Sequence, residues 1–288
     1  MKYLLIDGNN LGHRTYHVAT HQQKLNDHTD EERNSNHIYY TLNAILSYVR
    51  KYKPIHTYIT WDERKGTSGN LRKDSVAEYK GNRSKDRDPH QNNDKIKVLL
   101  RAVGVQSLYP LNLEADDIIA YIAQEHEGSV GIISVDKDFL QLVNEDTIMY
   151  DPIRKIEYNA GNFESLTGYN KADWYTAKCL MGDKSDNVPG LKGFGKVTAQ
   201  KYLDGLITLN EEQEAQVKIN HSVFALDKYN EYPNEKEFYR RQMELSVEGD
   251  IKLFAEKCTE LGYTRVVNNM SEWNNLFIMN KKLSSLFS

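Results

Sequence analysis

The chain has 288 residues and a formal net charge of −4, from 37 Lys and Arg against 41 Asp and Glu, and 39% of it is hydrophobic. This length is that of about two domains with a sizeable core, and the composition excludes fibrous and wholly disordered proteins. The mild acidity argues against a simple basic nucleic-acid coat protein. No apolar run approaches ~18 residues, the first ten residues turn polar too early for a signal peptide, and Cys179 and Cys258 cannot build a disulfide framework, so we expect a cytoplasmic protein.

Acidic residues follow the first two predicted strands. Residues 2–6 form a short apolar run that reads as a buried strand, and the Asp7-Gly8-Asn9-Asn10 that follows predicts a loop. Residues 37–53 carry apolar side chains at helical spacing. Residues 56–61 then predict a second strand, which ends at Asp62.

The next two strands also lead into carboxylates. A helical stretch over 96–103 precedes a predicted strand over 105–109, after which Glu114, Asp116 and Asp117 stand at the start of another helix. The β-rich run over 130–135 leads directly into Asp136 and Asp138. Four successive strands therefore deliver acids at their carboxyl ends.

Strands that alternate with helices predict an α/β fold with a parallel sheet, and such sheets bind ligands beyond the carboxyl ends of their strands. The acids should therefore meet in one pocket. Crowded carboxylates repel one another, so a hard divalent cation is their natural partner. Oxygen ligands without clustered His or Cys favour magnesium or manganese over zinc.

Two further acids precede a glycine-rich hairpin. Asp183 and Asp186 are three residues apart, so a helical turn would place both on one side. The Gly193-Phe194-Gly195-Lys196 that follows is similar to the hairpin of helix-hairpin-helix modules, whose backbone amides and lysines hold DNA phosphates without reading bases.

The segment over 63–97 is basic, with ten Lys and Arg against six Asp and Glu, and it lacks a clear strand or core-facing helix. It lies between the second and third predicted strands, so we expect a long lid over the acidic pocket. Its cations could clamp phosphates, and Tyr79 could stack on a base near Arg72 and Arg83.

Taken together, these motifs resemble the 5′-nuclease superfamily of flap endonucleases and 5′-3′ exonucleases over about the first 200 residues. The resemblance is carried by the strand-ending Asp7 and Asp62, by E-A-D-D over 114–117, by D-K-D over 136–138, by G-D-K-S-D-N-V-P-G over 182–190 and by K-G-F-G-K over 192–196. The E-Y-K-G-N-R over 78–83 is similar to bacterial and bacteriophage members. The resemblance implies a PIN-like parallel-sheet core over 1–175 with a helical arch at 63–95. It also implies a helical DNA-binding region over 176–288 with a helix-hairpin-helix-type motif at 186–203.

The family implies two magnesium sites, with manganese as a substitute. Asp7, Asp62, Asp116 and Glu114 match the first site, Asp116, Asp136, Asp138 and Asp186 match the second, and Asp117 and Asp183 match outer positions. Lys80 and Arg83 match arch residues that contact the scissile phosphate. Arg72, Tyr79, Lys192, Gly193, Gly195 and Lys196 would bind DNA, and main-chain oxygens of Gly190, Leu191 and Phe194 would hold a potassium ion.

The implied activity is cleavage of DNA at a 5′ flap or 5′ end in replication or repair, with RNA of hybrids as a second substrate and a replicative polymerase or single-strand-binding protein as a partner. The chain resembles the stand-alone phage and bacterial enzymes. Three alternatives stay open: a catalytically silent DNA-junction binder, a haloacid-dehalogenase-like phosphatase, for which the sequence after Asp7 lacks the second Asp, and an RNA-cleaving relative.

Overall fold

A six-stranded mixed sheet forms the centre of the molecule. The computed structural model describes residues 1–62, 89–184, 186–245 and 247–279. The sheet has the order β3-β2-β1-β4-β5-β6. Its strands are β1 (Tyr3–Asp7), β2 (His56–Thr60), β3 (Gln106–Leu108), β4 (Val130–Ile133), β5 (Thr147–Asp151) and β6 (Ile156–Tyr158). The first five are parallel, as was predicted for the first four of them, and β6 runs antiparallel to β5.

Helices cover the sheet and continue to the end of the described chain. They are α1 (Gly8–Asn26), α2 (Asp30–Tyr52), α3 (Asn93–Ala102), α4 (Ala115–Glu125), α5 (Phe163–Thr167), α6 (Lys171–Met181), α7 (Lys196–Leu203), α8 (Glu211–Phe224), α9 (Pro233–Glu244), α10 (Ile251–Glu260), α11 (Thr264–Asn268) and α12 (Met270–Trp273). Short 3-10 helices span Lys137–Leu142 and Lys228–Glu231, and a π-helical turn spans Asn274–Met279. None of the helices in the described ranges is long and apolar enough to cross a bilayer.

Successive side chains of β1 point to opposite faces of the sheet, so the strand contributes to a hydrophobic core on each face. Leu5 packs on one face with residues of α4, α6 and α9, and Leu4 and Ile6 pack on the other with residues of α2, α3, α10 and the π-helical turn. All five residues of β1 are buried, as expected for a central parallel strand that is covered on both faces.

Residues after 175 contribute to both cores. Tyr239 of α9 belongs to the first core, and Phe254 of α10 and Trp273 of α12 belong to the second. The regions predicted on either side of 175 therefore share their hydrophobic interior, and the domain boundary itself stays a prediction.

The loop predicted after Asp7 is wrong, because α1 begins directly at Gly8. The side chain of Asp7 caps this helix by accepting a hydrogen bond from the Asn10 backbone N–H at 2.9 Å, which compensates for the weak helix propensity of Gly8 and Asn9. Glycine is required at position 8, since a Cβ there would lie 2.6 Å from the Thr60 carbonyl oxygen.

The expectation of an irregular segment over 63–97 is also wrong at its end. Residues 93–97 begin α3, and Ile96 is fully buried in the second core. Residues 63–88 lie outside the described residues.

The predicted hairpin lies between α6 and α7. A two-stranded sheet of β7 (Gly182–Asp183) and β8 (Val188–Pro189) precedes it, so the helical turn expected over Asp183 and Asp186 is wrong. Gly182 and Gly190 allow the strands to approach, because a Cβ at Gly190 would collide with the Met181 carbonyl.

Candidate active site

Asp7 lies at the carboxyl end of the central strand, and its carboxylate is almost completely buried. Besides the Asn10 N–H, it accepts a hydrogen bond from the Ser134 hydroxyl at 2.9 Å. Burial raises the pKa of Asp7 to about 6, these two hydrogen bonds oppose the shift, and the charges of Asp136 and Asp62 raise it further. Asp7, Asp62 and Asp136 therefore interact electrostatically at one edge of the sheet, as predicted.

Asp62 connects β2 to the start of α4. One carboxylate oxygen accepts the backbone N–H of Ala115 at 2.7 Å, and the other accepts the side-chain amide of Asn9 at 2.5 Å. Since Ala115 is the first residue of α4, Asp62 stabilises the positive end of that helix. Asp62 thereby lies beside the Glu114 to Asp117 cluster.

Glu114 and Asp117 form a capping box at the N-terminus of α4. The Asp117 carboxylate accepts the Glu114 backbone N–H at 3.0 Å, and Asp117 is completely buried. Its carboxylate thus orients the backbone beside Glu114, and the outer role predicted for Asp117 stays a prediction. Asp116, in the first turn of α4, is half-buried.

Ser134 links the Asp7 carboxylate, at the end of β1, to the backbone that follows β4. Its hydroxyl oxygen donates to Asp7 and accepts the backbone N–H of Asp136 at 3.1 Å. Asp136 in turn accepts the Asp138 backbone N–H at 2.8 Å, which caps the 3-10 helix that begins at Lys137. These bonds tie the Asp7 carboxylate and the Asp136 backbone to one hydroxyl.

A buried lysine lies among the second group of acids. The ammonium of Lys178, from α6, donates hydrogen bonds to the Asp138 carboxylate and, at 3.2 Å, to that of Asp183. Lys178 is only 7% exposed, so its charge is held in the protein interior by these two carboxylates. Asp186 is also buried, in the turn between β7 and β8.

The carboxylates are thus collected in pairs and small networks. Within the described part of the chain, no three Asp, Glu, His or Cys side chains stand in an arrangement that could hold a metal ion as it is. Both oxygens of Asp62 and one oxygen of Asp138 accept hydrogen bonds, from Asn9, Ala115 and Lys178. The two predicted metal sites therefore stay a prediction.

The hairpin is exposed where DNA binding was predicted. Lys192, Gly193, Gly195 and Lys196 all lie on the surface, and Gly195 is the N-cap of α7. The Leu191 carbonyl, a predicted potassium ligand with those of Gly190 and Phe194, accepts the Phe194 backbone N–H at 3.0 Å. Lys80, Arg83, Arg72 and Tyr79 lie outside the described residues.

Sequence reasoning missed three residues that orient the acids: Asn9, Ser134 and Lys178. Asn9 and Ser134 do carry a sequence signal, since each lies within two residues of an acid at the end of a predicted strand. Lys178 carries none, because it reaches Asp138 across 40 residues of chain.

Comparison with known proteins identifies the family. A model of the N-terminal resolvase-like domain of 5′-3′ exonucleases matches residues 2–168. The chain belongs to the 5′-3′ exonuclease family. A 5′-3′ exonuclease of Mycoplasmopsis pulmonis is 33% identical over 214 residues, which cover 73% of this chain and 68% of the relative. The family predicted from the motifs is therefore confirmed.

Other relatives are much longer. DNA polymerase I of Caldicellulosiruptor bescii is 28% identical over 237 residues, which cover 77% of this chain and 26% of the polymerase. The chain thus spans about a quarter of the length of that relative.

Solved structures confirm the fold class. The D15 protein of bacteriophage T5, crystallised with metal ions, superposes with a TM-score of 0.61 at 18% identity and covers 85% of this chain and 99% of its own. A variant of the T5 D15 flap endonuclease with DNA and metal ions gives a TM-score of 0.64 at 19% identity, with 85% and 98% covered.

Proposed function

We propose that this member of the 5′-3′ exonuclease family is a structure-specific 5′-nuclease that hydrolyses phosphodiester bonds of DNA with divalent metal ions. The observation that carries the proposal is the buried Asp7 carboxylate, whose pKa is raised to about 6 beside Asp62 and Asp136. Burial is the main cause of this raised pKa and the charges of Asp136 and Asp62 add to it, so a cation bound at this edge would favour the ionised carboxylates.

The donor set fits magnesium. The acids at this edge offer carboxylate oxygens, which are the ligands that Mg²⁺ and Mn²⁺ prefer. In this proposal Asp7, Asp62, Glu114 and Asp116 hold one ion, Asp116, Asp136, Asp138 and Asp186 hold a second, and Asp117 and Asp183 orient the ligands. Bound there, the ions would supply an activated water and stabilise the leaving oxygen of the phosphodiester.

The chain's own residues prepare this site. The Ser134 hydroxyl donates to the Asp7 carboxylate, and the Asn9 side-chain amide donates to the Asp62 carboxylate. Lys178 supplies the buried positive charge that Asp138 and Asp183 require when no metal is bound. These contacts keep the acids in place in a protein that has not yet bound substrate.

A basic cavity beside the acids supports DNA as the substrate. A cavity of about 310 Å³ is lined by Lys137, Lys178, Lys184 and Lys196 together with Trp174 and Asp183. Three of the lysines, at 137, 184 and 196, are exposed. We propose that these cations and the hairpin residues Lys192, Gly193 and Gly195 bind duplex phosphates, with a potassium ion on the oxygens of Gly190, Leu191 and Phe194.

The remaining assignments rest on sequence motifs. We propose that Lys80 and Arg83 stabilise the charge on the scissile phosphate and that Arg72 and Tyr79 contact the 5′ single strand. The proposed role is flap or primer removal in DNA replication or repair, with RNA of hybrids as a second substrate. A replicative polymerase or single-strand-binding protein is the proposed partner.

The test is cleavage of an end-labelled 5′-flap duplex in magnesium and in chelator by the wild type, by Asp136→Asn and by Asp146→Asn. Asp136→Asn keeps the shape of the side chain and removes its charge, so we expect a loss of about 100-fold or more in rate with DNA binding retained. Asp146 is exposed in the loop before β5, so its variant controls for a changed charge alone.

Metal-dependent cuts near the junction that disappear in Asp136→Asn would establish the nuclease. Tight binding to the flap duplex without any cut, also in manganese and with an RNA flap, would instead identify a junction-binding protein. Equal loss of binding and cleavage in Asp136→Asn would contradict the role given to this carboxylate.

A further inference from the structure

A carboxylate in the C-terminal helical region is buried against the loop that leads to the candidate active site. Glu235, in the first turn of α9, has no exposed surface. Its carboxylate accepts three consecutive backbone N–H groups: Leu111 at 3.0 Å, Asn112, and Leu113 at 3.2 Å. Three N–H groups that converge on one anion are the arrangement by which a protein compensates a buried carboxylate.

The same helix binds the same loop a second time. Gln242 lies two turns after Glu235 and exchanges two hydrogen bonds with the Tyr109 backbone, 2.8 Å to its carbonyl and 2.9 Å from its N–H. The side chain of Gln106, in β3, donates to the Gln242 carbonyl. One face of α9 therefore holds the backbone from β3 through residue 113.

This loop ends at the predicted metal ligands. The residue after Leu113 is Glu114, and the following residue, Ala115, donates its N–H to Asp62. Asp116 occupies the first turn of the same helix, α4. A displacement of residues 111–113 would therefore move Glu114 and Asp116 relative to Asp62.

We infer that Glu235 is a positioning residue for the metal centre: it fixes residues 111–113 and thereby the places of Glu114 and Asp116 relative to Asp62, from which their carboxylates would reach a metal ion. The inference rests on the proposed function and gives α9 a role in it. Groups that orient metal ligands in this way change metal affinity by about 10–100-fold when they are altered.

The test measures metal binding without DNA. Mn²⁺ is titrated into metal-free protein and followed by electron paramagnetic resonance, with thermal stability measured in parallel. Glu235→Gln keeps the size of the side chain but turns an amide group toward the loop, so it opposes one backbone N–H with another donor. We expect its Mn²⁺ dissociation constant to rise about 10-fold over that of the wild type.

Asp151→Asn is the matched control. Asp151, at the end of β5, is also a buried carboxylate that accepts backbone N–H groups, from Ile153 at 2.9 Å and Arg154 at 3.0 Å. It should lower the melting temperature and leave the Mn²⁺ dissociation constant unchanged. Gln242→Ala perturbs the same loop and should also weaken Mn²⁺ binding. This second variant keeps the inference testable if Glu235→Gln fails to fold.

The outcomes separate the inference from the proposed function. If Glu235→Gln and Gln242→Ala melt at lower temperature but bind Mn²⁺ as tightly as the wild type does, α9 is only structural and the inference is overturned. Failure of the wild type to bind Mn²⁺ overturns it as well. If the wild type binds Mn²⁺ but cuts no flap, the proposed function fails, and weakened Mn²⁺ binding by the variants still supports the inference.

Discussion

Lys178, in α6, provides the positive charge that Asp138 and Asp183 require in the metal-free protein. Its ammonium is buried between Asp138 and Asp183, and side chains of Trp174 and Phe224 lie beside it, with the Phe224 ring centre at 4.6 Å. Removal of one partner from a buried ion pair leaves the other charges uncompensated and typically costs about 3–5 kcal/mol.

We expect Lys178→Met to destabilise the metal-free protein by about that amount and to respond more strongly to magnesium than the wild type does. A divalent ion would then supply the charge that the variant lacks, so it should raise the melting temperature of Lys178→Met more than that of the wild type. Thermal unfolding in chelator and in magnesium measures both shifts.

Lys171→Met is the control for this prediction. Lys171 lies on the same helix but is exposed, and its ammonium donates to the carbonyls of Leu140 and Gln141 instead of to carboxylates. Its loss should destabilise the protein to the same extent in chelator and in magnesium. An equal magnesium response of the two variants would contradict the role of Lys178 as a countercharge.

The individual acids could be predicted from sequence because each ends a strand or begins a helix. Asp7, Asp62 and Asp136 stand directly after buried apolar runs, and the order of parallel strands brings such positions to one edge. The residues that orient them could not be predicted in the same way. The contact between Lys178 and Asp138, like that between Glu235 and residues 111–113, depends on the packing of helices that no local pattern determines.

In the two N-terminal helices, local sequence determines where α2 begins, and a buried hydrogen bond determines how α2 packs on α1. Thr29 and Glu32 form a capping box that starts α2, which the apolar spacing over 37–53 predicted only in its second half. His37 then ties α2 to α1 through the Gly12 carbonyl, at 3.0 Å, and to Asn92 at 3.1 Å. The start of α2 could have been recognised from the Thr29 to Glu32 pattern.

His37 makes the stability of this helix pair depend on pH. Its imidazole is fully buried, and burial lowers its pKa from 6.5 to about 4. Its Nε2–H donates to Gly12 and its Nδ1 accepts from the Asn92 amide, so a proton on Nδ1 would face another donor. The unfolded chain takes up this proton near pH 6.5 and the folded chain only near pH 4, so stability is full above 6.5 and falls between these values, by about 3 kcal/mol at most.

We expect His37→Gln to remove this part of the pH dependence, because glutamine can donate to Gly12 and accept from Asn92 without titrating. Urea unfolding at several pH values between 4 and 8 measures this contribution as the difference in the free energy of unfolding between the variant and the wild type. His21→Gln, at an exposed position of α1, controls for the loss of a histidine as such. A constant difference across this pH range would contradict the prediction.

At the scale of the whole molecule, the last described residues complete the core that carries β1. Trp273 is fully buried, stacks on Phe277 with ring centres 5.0 Å apart and packs against Phe254 at 4.9 Å. Leu4 and Ile6 of β1 belong to the same core. The strand that ends at Asp7 is therefore stabilised by residues more than 260 positions away.

We expect Trp273→Ala to lower the free energy of unfolding by about 3–5 kcal/mol, since it leaves a large cavity. We also expect the two cores to unfold together in this variant. Hydrogen exchange should show the same loss of protection in α6 as in α10, because the two cores share the sheet between them. Leu253→Ala, at a half-exposed position of α10, is the control. Loss of protection confined to α10 to α12 would show that the cores unfold separately.

The overall architecture was predictable where elements are long and periodic. The four strands of the first 135 residues and the helix over 96–103 were all found, within a few residues of their predicted bounds. Strands β5 and β6 were not predicted, and the three residues of β6 are too few to show a periodicity. The sharing of two cores by distant segments is likewise a property of the assembled chain.

The strand order has a consequence for synthesis on the ribosome. β1 is made well before its neighbour β4, which begins at Val130, the residue that pairs with Tyr3. At about 5–20 residues per second, translation from one to the other takes roughly 6–25 s. During that interval Leu4, Leu5 and Ile6 lack one of their strand neighbours, so we expect the nascent chain to need chaperones that shield apolar strand edges until β4 has emerged.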